Sequence, residues 1–396
     1  MLRTLTIQGF KSIANLELEL GRVNCLIGAN GVGKSNVLEA LGILGAAASG
    51  VVDDESLLRR GVRAGTPRLY KTSFAGLRTP PHISMGITAS PHAAYRVSLL
   101  NPLDAPEPAW AYKTETLNDG ERDIVSAGVR SQAKSLNPKA GLAALKRVEL
   151  AEDNPAAQLM QTLQDYAIYC PNTPALRGIA PDPQTRAPVG LNGGRLAEGF
   201  ADLQRALHAD NQAGEAMLDD ILTLIDWVDE VEVSQHANAL LSNQVPRGKW
   251  MLKFTDRFMN ANRNTLTAYD ASEGALYILF CATLCLAEYG PKVFAIDNLD
   301  QALNPRLLTR LVSHLAAWLA YRDPDRQLLF TAHNPAVLDG LDLNDPEVRL
   351  FAVDRTQQGH TCVRRIMLSE ALRQQLHSHP LSRLWMMGHL GAVPNV

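Results

Sequence analysis

Hydrophobic and polar positions at the start of the chain predict a sheet that leads into a glycine loop and a helix. Residues 2–6 are rich in apolar side chains, leucines alternate with glutamates over 16–20, and 23–27 is a short apolar run. Three glycines within residues 28–33 end this run, and from Lys34 onward apolar residues recur at helical spacing. The predicted order is therefore three strands, a glycine loop and a helix.

The middle of the chain has weaker periodicity. Residues 53–166 contain short alternating segments, such as 83–88 and 95–100, which are separated by proline-rich joints. This pattern predicts an inserted, mostly β arm. A helical pattern follows over 199–228 and predicts a lid or helical subdomain.

Strand and helix patterns alternate again in the last third of the chain. Strands are predicted at 250–254, 292–296 and 327–331, with one helix after Ser272 and another before the last of these strands. Such alternation predicts a partly parallel sheet in an α/β fold. The predicted divisions are an α/β head in two parts (1–52 and 247–340), the β-rich arm (53–166), the helical lid (167–246), and a C-terminal hairpin and helix (341–396).

Composition narrows the class of protein. The 396 residues include 38 basic and 41 acidic side chains, for a net charge of −3, so no overall positive field favours nucleic acid. The longest apolar stretch, 275–287, is shorter than the ~20 residues that cross a bilayer. Five cysteines form no CxxC pair, which is typical of a reducing compartment. We expect a cytoplasmic protein with no membrane partner.

One segment departs from the even charge balance. Residues 122–147 contain six basic residues and a single acid, Asp123. The basic residues are Arg122, Arg130, Lys134, Lys139, Lys146 and Arg147. Two interpretations stay open, a solvated loop and a contact with a phosphate backbone such as DNA.

Residues 28–35 read GANGVGKS and match G-x-x-x-x-G-K-[ST] between a predicted strand and a predicted helix. In this arrangement backbone amides and the helix N-terminus surround phosphate, Lys34 reaches the β and γ oxygens of a nucleotide, and Ser35 binds Mg²⁺. We therefore expect ATP and Mg²⁺ as ligands. The predicted nucleotide-binding residues of the loop are Gly28, Asn30, Gly31, Gly33, Lys34, Ser35 and Asn36.

Asp297 ends the apolar run 293–296, where a protein with such a loop needs an oxygen ligand for magnesium. Asp297 and Ser35 are thus the predicted metal pair. Ser272 precedes a buried helix, and a role as the cap of that helix would be enough to explain it. His333 follows the last predicted strand, and on its own it is equally well explained as an ordinary loop histidine.

Taken in order, GANGVGKS, ASEG at 271–274, FAIDNLD at 294–300 and TAHNP at 331–335 resemble the ABC-type ATPases of the RecF, SMC and OLD-like group. The likeness includes GFKSI at 9–13 and covers roughly 1–50 and 250–340, whereas the middle matches nothing specific. The resemblance implies that Ser272 and Gly274 cap the γ-phosphate of ATP held by a second copy. It also implies that His333 is a switch histidine and that two ATP molecules are sandwiched in a head-to-tail homodimer.

The chain departs from the family at Asn298, where a glutamate usually follows the magnesium-binding acid. An amide cannot accept a proton from water at neutral pH, and general-base catalysis is worth roughly 10²–10⁴-fold. We therefore expect slow or conditional hydrolysis, with Lys34, Asp297, Asn298, Asp300 and His333 as the catalytic set. Asp300 has two interpretations, a substitute base or part of the loop that signals across the dimer.

The leading functional hypothesis is an ATPase whose nucleotide-driven dimer controls DNA engagement or a separately encoded effector. The chain shows no nuclease site of its own, and stand-alone heads of this kind resemble those of anti-phage systems, in which a nuclease is often the partner. One alternative is a RecF-like repair clamp that uses residues 122–147. Another is an assembly scaffold with ATP as a structural ligand. A transporter subunit is disfavoured because ASEG is shorter than an LSGGQ-type signature.

Overall fold

A computed structural model describes residues 1–127, 137–235, 240–245 and 248–392. Two members of the basic segment, Arg130 and Lys134, lie outside the described residues. The described strands are β1 (Leu2–Phe10), β2 (Ile13–Glu19), β3 (Val23–Ile27), β4 (His82–Ala89), β5 (Ala94–Leu100), β6 (Ala111–Asn118), β7 (Asp123–Ala127), β8 (Ile168–Tyr169), β9 (Val228–Ser234), β10 (Met251–Asp256), β11 (Thr265–Thr267), β12 (Val293–Ile296), β13 (Gln327–Ala332), β14 (Val348–Arg355) and β15 (Thr361–Ile366).

Helices occur between these strands and at the C-terminal end of the chain. The described helices are α1 (Lys34–Ala48), α2 (Asp54–Leu58), α3 (Pro67–Tyr70), α4 (Leu142–Lys146), α5 (Pro155–Asp165), α6 (Thr173–Leu176), α7 (Leu196–Ala209), α8 (Asn211–Thr223), α9 (Glu273–Leu286), α10 (Pro305–Arg322), α11 (Glu370–Leu376) and α12 (Leu381–Met386). A 3₁₀ helix spans Pro335–Gly340. No described helix is both long and apolar enough to span a membrane.

The first sheet is antiparallel and has the strand order β2-β1-β4-β5-β6-β7. Strands are present in the region predicted as an inserted arm, but β4 pairs directly with β1. That region is therefore continuous with the N-terminal sheet. Leu5 and Ile7 of β1 are fully buried, because helices α1 and α5 cover one face of this sheet.

The second sheet has the order β15-β14-β3-β13-β12-β8, and all of its pairings are parallel except β14–β15. The partly parallel sheet and the C-terminal hairpin predicted from the sequence are both present. In a parallel sheet the carboxyl ends of neighbouring strands lie at one edge, where ligands bind. The glycine loop after β3, Asp297 after β12 and His333 after β13 consequently share that edge.

The region predicted as a lid contains two helices where the sequence pattern suggested one. Helix α7 ends at Ala209 and α8 begins at Asn211, whose φ of 53° is left-handed. Asparagine tolerates this conformation better than most residues, so the chain turns there although the apolar pattern continues. Both helices pack against α9, which is buried along almost its whole length, and β9 of the three-stranded sheet β11-β10-β9 packs against the two helices.

Gln327, at the start of β13, joins the two large sheets. Its Oε1 accepts a hydrogen bond from Leu2 N (2.6 Å), and its Nε2 donates to Leu2 O (3.0 Å) and Gly21 O (2.8 Å). The side chain is fully buried. Since unpaired buried polar groups are costly, this set of bonds fixes the N-terminal sheet beside the sheet that carries the site.

Candidate nucleotide-binding site

The glycine loop between β3 and α1 requires glycine for two separate physical reasons. A Cβ on Gly28 would lie 2.2 Å from Val353 O, and a Cβ on Gly33 would lie 2.3 Å from Thr361 Oγ1. Gly31 has open space around it, but its φ of 77° is one that other residues rarely adopt. The loop therefore keeps its backbone exposed to a ligand while its outer side lies against β14 and β15.

Lys34 is buried at the first position of α1 and folds back across this loop. Its Nζ donates to Gly28 O (2.8 Å) and Ala29 O (2.9 Å) and lies 3.4 Å from His333 Nδ1. Burial lowers the pKa of Lys34 to about 8, although the charges of Asp297 and Asp300 oppose that shift. A bound polyanion would offer the ammonium a stronger, charge-assisted partner than these carbonyls do.

The predicted metal pair, Ser35 and Asp297, is brought together. Asp297 Oδ1 accepts a hydrogen bond from Ser35 Oγ (3.0 Å) and another from Thr331 Oγ1 (2.5 Å). A hydroxyl and a carboxylate at the mouth of a phosphate-binding loop form the oxygen-rich environment that Mg²⁺ prefers. Thr331, on β13, was missed in the sequence analysis because its polar side chain stands within an apolar strand pattern.

Asn298, the departure from the family pattern, is held by its backbone. Its φ is 59°, its N–H donates to Thr331 Oγ1 (2.8 Å), and its carbonyl accepts from Tyr277 OH (3.2 Å). The left-handed conformation suits asparagine better than glutamate, because the short polar side chain of asparagine can hydrogen-bond locally. The backbone directly after Asp297 therefore favours the asparagine that is present.

Asp300 and His333 form a second connection across this edge. Asp300 Oδ2 accepts hydrogen bonds from the backbone amides of His333 (2.8 Å) and Asn334 (2.6 Å). Burial and the neighbouring Lys34 lower the pKa of His333, which favours the neutral imidazole. The geometry favours Asp300 as a residue that positions the histidine loop over the interpretation as a substitute base.

Ser272 and Gly274 lie at the N-terminus of α9. Ser272 is exposed and caps the helix by accepting a bond from Ala275 N (3.3 Å), as the simpler explanation required. An added Cβ on Gly274 would meet nothing nearer than 3.6 Å. Within the described residues, the hydrogen bonds of Ser272 stay inside its own helix. This end of α9 therefore stays accessible to a ligand brought from outside the chain.

A buried charge cluster beside the loop was also missed. Glu39, in the middle of α1 and 2% exposed, accepts from Arg63 Nε (2.6 Å) and forms an ion pair with Lys11. Lys11 lies 5.3 Å from the ring centroids of both Phe10 and Tyr70. A glutamate within the apolar stripe of a predicted helix was the available signal, because a buried carboxylate requires partners.

The described members of the basic segment are already paired. Three contact an acid and one contacts an amide, so the local excess of positive charge is partly neutralised by the three ion pairs. The pairs are Arg122–Asp119 (3.7 Å), Lys139–Glu107 (2.5 Å), Lys146–Glu149 (2.8 Å) and Arg147–Gln164 (2.5 Å).

Comparisons with known proteins agree with this geometry. Residues 1–58 match a family described as "AAA ATPase domain", and residues 185–339 match one described as "AAA domain, putative AbiEii toxin, Type IV TA system". The chain is 33% identical over 106 residues to a DNA replication and repair protein RecF of Paenarthrobacter aurescens (strain TC1). That match covers 26% of the chain and only 26% of the relative's length.

Two solved SMC heads share the fold. One is an SMC head bound to the C-terminal winged-helix domain of ScpA, with a TM-score of 0.55 and 12% identity over 94% of this chain and 99% of that one. The other is an SMC head with an extended coiled coil bound to the C-terminal domain of ScpA, derived from Pyrococcus furiosus. Its TM-score is 0.52, with 11% identity over 95% of this chain and 98% of that one. At such low identity the likeness is one of fold.

Proposed function

Since the chain is an ABC-type ATPase of the RecF- and SMC-like group, with the α/β fold that its motifs predict, we propose that ATP joins two copies head to tail. The observation that carries the proposal is the separation of two half-sites. Lys34, Ser35 and Asp297 converge at one sheet edge, whereas Ser272 is exposed at a helix end and, among the described residues, bonds only within that helix. In the proposed dimer each loop holds ATP against the Ser272–Gly274 turn of the other copy.

The residues of the site have distinct proposed roles. Amides of the loop from Gly28 to Gly33 surround the phosphates, and Lys34 leaves the loop carbonyls to pair with the β and γ oxygens. Ser35 and Asp297 would hold Mg²⁺, which supplies charge neutralisation to the triphosphate. Neutral His333, held by Asp300, accepts a hydrogen bond from the attacking water or contacts the γ-phosphate.

We further propose that hydrolysis is slow. Asn298 offers no carboxylate to accept a proton from water, and its left-handed backbone favours the amide that is present. Positioning and electrostatic stabilisation by Lys34 and His333 would still operate, so turnover is reduced but not abolished. ATP then acts as a timer for the closed dimer.

The closed dimer is proposed to control a separately encoded effector, of which a nuclease in anti-phage defence is the leading candidate. Support comes from the glycine-loop, Ser272–Gly274, Asp297 and His333 motifs, and from the described residues, which contain no cluster of His, Cys, Asp or Glu that could hold the metal of a nuclease. The net charge of −3 also gives no overall attraction for DNA. Direct DNA engagement through residues 122–147 is the weaker alternative, because the chain as a whole has no excess of positive charge. Co-purification with the product of an adjacent gene, with and without ATP, tests this part.

A mixing experiment tests the head-to-tail arrangement. Lys34→Ala leaves the Ser272 turn intact, and Ser272→Asp leaves the glycine loop intact, so each variant alone should hydrolyse ATP poorly. A mixture can form dimers that contain one complete site, and phosphate release should reappear. Failure of the mixture to recover activity, although both variants are folded, would contradict the proposal.

A further inference from the structure

A continuous chain of buried hydrogen bonds links the C-terminal hairpin to the glycine loop. Asn36 Nδ2 donates to Ser12 Oγ (2.8 Å), the hydroxyls of Ser12 and Thr361 lie 2.6 Å apart, and Thr361 Oγ1 donates to Val32 O (2.6 Å). Thr361 and Ser12 are 5% and 8% exposed. Because the Thr361 proton goes to Val32 and Ser12 accepts from Asn36, the Ser12 proton must go to Thr361. The hydroxyls of Ser12 and Thr361 therefore each donate one hydrogen bond and accept one, and all the bonds of the network run in the same direction.

The hydrogen bond to the carbonyl of Val32 also fixes the orientation of the N–H of Gly33. The carbonyl of Val32 and the N–H of Gly33 belong to one planar trans peptide group and point in opposite directions. Holding the oxygen against Thr361, behind the loop, therefore aims the Gly33 N–H away from the hairpin and toward the loop interior. In a loop of this kind that interior is where phosphate oxygens bind.

Thr361 also excludes a side chain from the loop. A Cβ on Gly33 would lie 2.3 Å from Thr361 Oγ1 and 2.8 Å from Ser12 Oγ. The same hydroxyl that orients the peptide therefore occupies the space beside the glycine. The main chain strengthens the contact, since Thr361 N donates to Ser12 O (2.7 Å).

We propose that Thr361, through its hydroxyl, is a positioning residue that preorganises the glycine loop for a nucleoside triphosphate. This assigns to the C-terminal hairpin a role in nucleotide affinity, although residue 361 lies far along the chain from residue 33. The inference rests on the proposed function, because it concerns the same phosphate-binding loop.

Thr361→Val removes the hydroxyl at nearly constant volume, and Thr361→Ser keeps it. We expect Thr361→Val to weaken binding of a fluorescent ATP analogue with Mg²⁺ about tenfold, equivalent to about 1.4 kcal/mol. Thr361→Ser should stay within about twofold of the wild type, since the bond to Val32 is retained. Cys362→Val, an exposed position on the same strand, is the matched control and should bind like the wild type.

Thermal unfolding without nucleotide separates loss of fold from loss of preorganisation. If Thr361→Val is too unstable to assay, Ser12→Ala removes the hydroxyl that donates to Thr361 and should also weaken binding. Wild-type affinity in Thr361→Val, or an equal loss in Thr361→Ser, would overturn the inference. Absence of ATP binding by the wild type would instead contradict the proposed function, so the two failures are distinguishable.

Discussion

The glycine loop and the Ser272–Gly274 turn both lie at helix N-termini, yet their surroundings differ. The loop is held from behind by Thr361 and Val353 and crossed by the buried side chain of Lys34. The turn is exposed, and its serine bonds only to its own helix among the described residues. One half of the proposed site is therefore organised within a single chain. In the proposed dimer, the other half would receive its ligand from a second copy.

The largest expected effect is a loss of ATP hydrolysis, and it tests the glycine loop. Lys34→Ala removes the cation that is buried in the loop and should lower ATP hydrolysis by at least ~10²–10³-fold, a typical loss for a group that stabilises transition-state charge. Nucleotide binding should fall with it, as measured by the fluorescent analogue. Binding at wild-type affinity would show that the loop does not hold the triphosphate.

At the exposed Ser272–Gly274 turn, we expect a substitution to affect hydrolysis and dimerisation but not nucleotide binding by the monomer. Asp and Asn both cap helices as well as Ser does, but only Asp places a negative charge against a γ-phosphate. Ser272→Asp should therefore lower hydrolysis about 10²-fold and abolish ATP-dependent dimerisation, while binding to the monomer stays near the wild-type value. Light scattering with and without Mg-ATP measures the dimer.

Ser272→Asn is the control for that prediction, because it keeps the cap without the charge. Since both variants keep the cap, a similar loss of dimer in both would show that the added negative charge is not the cause, and would contradict the prediction that a phosphate faces this position.

Turnover distinguishes a missing base from other causes of slow hydrolysis. Asn298→Glu should raise phosphate release by about 10²-fold, the lower end of the range for general-base catalysis, because the left-handed backbone suits glutamate less well than asparagine. Asn298→Gln has the same length and the same strain without a carboxylate. Equal rates in the two variants would retire the missing-base explanation.

The smallest expected effect concerns pH. Because burial lowers the pKa of Lys34 to about 8, its ammonium is present below that pH and is lost as pH rises above it. ATP affinity should fall about twofold between pH 7 and 8, where half of the amine is deprotonated, and then by up to about tenfold per pH unit at higher pH. Lys34→Arg keeps its charge and should lack this fall, whatever its affinity at pH 7. A parallel decline in both proteins would assign the effect to another group.

The protonation of Lys34 also affects the stability of the nucleotide-free protein. A lowered pKa means that the folded chain disfavours the charged amine. The free energy of unfolding should therefore gain a contribution as pH rises from about 8 toward the ordinary lysine value of 10.5. Urea titrations at several pH values would measure it.

Local patterns predicted the elements that carry the site. Strand β3 has the predicted bounds, and Asp297 and His333 follow strands that the apolar runs at 293–296 and 327–331 indicated. A glycine loop between a strand and a helix is a local feature, so its position could be read directly. The roles of Asn298 and Ser272 remain predictions.

Contacts between distant segments could not be read in the same way. Thr361 and Ser12 are 349 residues apart, and their meeting depends on the pairing of β14 with β3 and of β15 with β14. The continuity of β4 with β1 was missed for the same reason, since alternation shows that a strand has two faces but not which strand lies beside it.

The hydrogen bonds of Asp300 couple the movement of two loops. One carboxylate oxygen accepts bonds from two successive amides, those of His333 and Asn334, so the acidic loop and the histidine loop cannot be displaced independently. If a neighbouring molecule pulled Asp300 away, two backbone donors would lose their partner at once and the imidazole would shift relative to Lys34. In the proposed dimer, a contact that displaced Asp300 would therefore also displace the histidine loop.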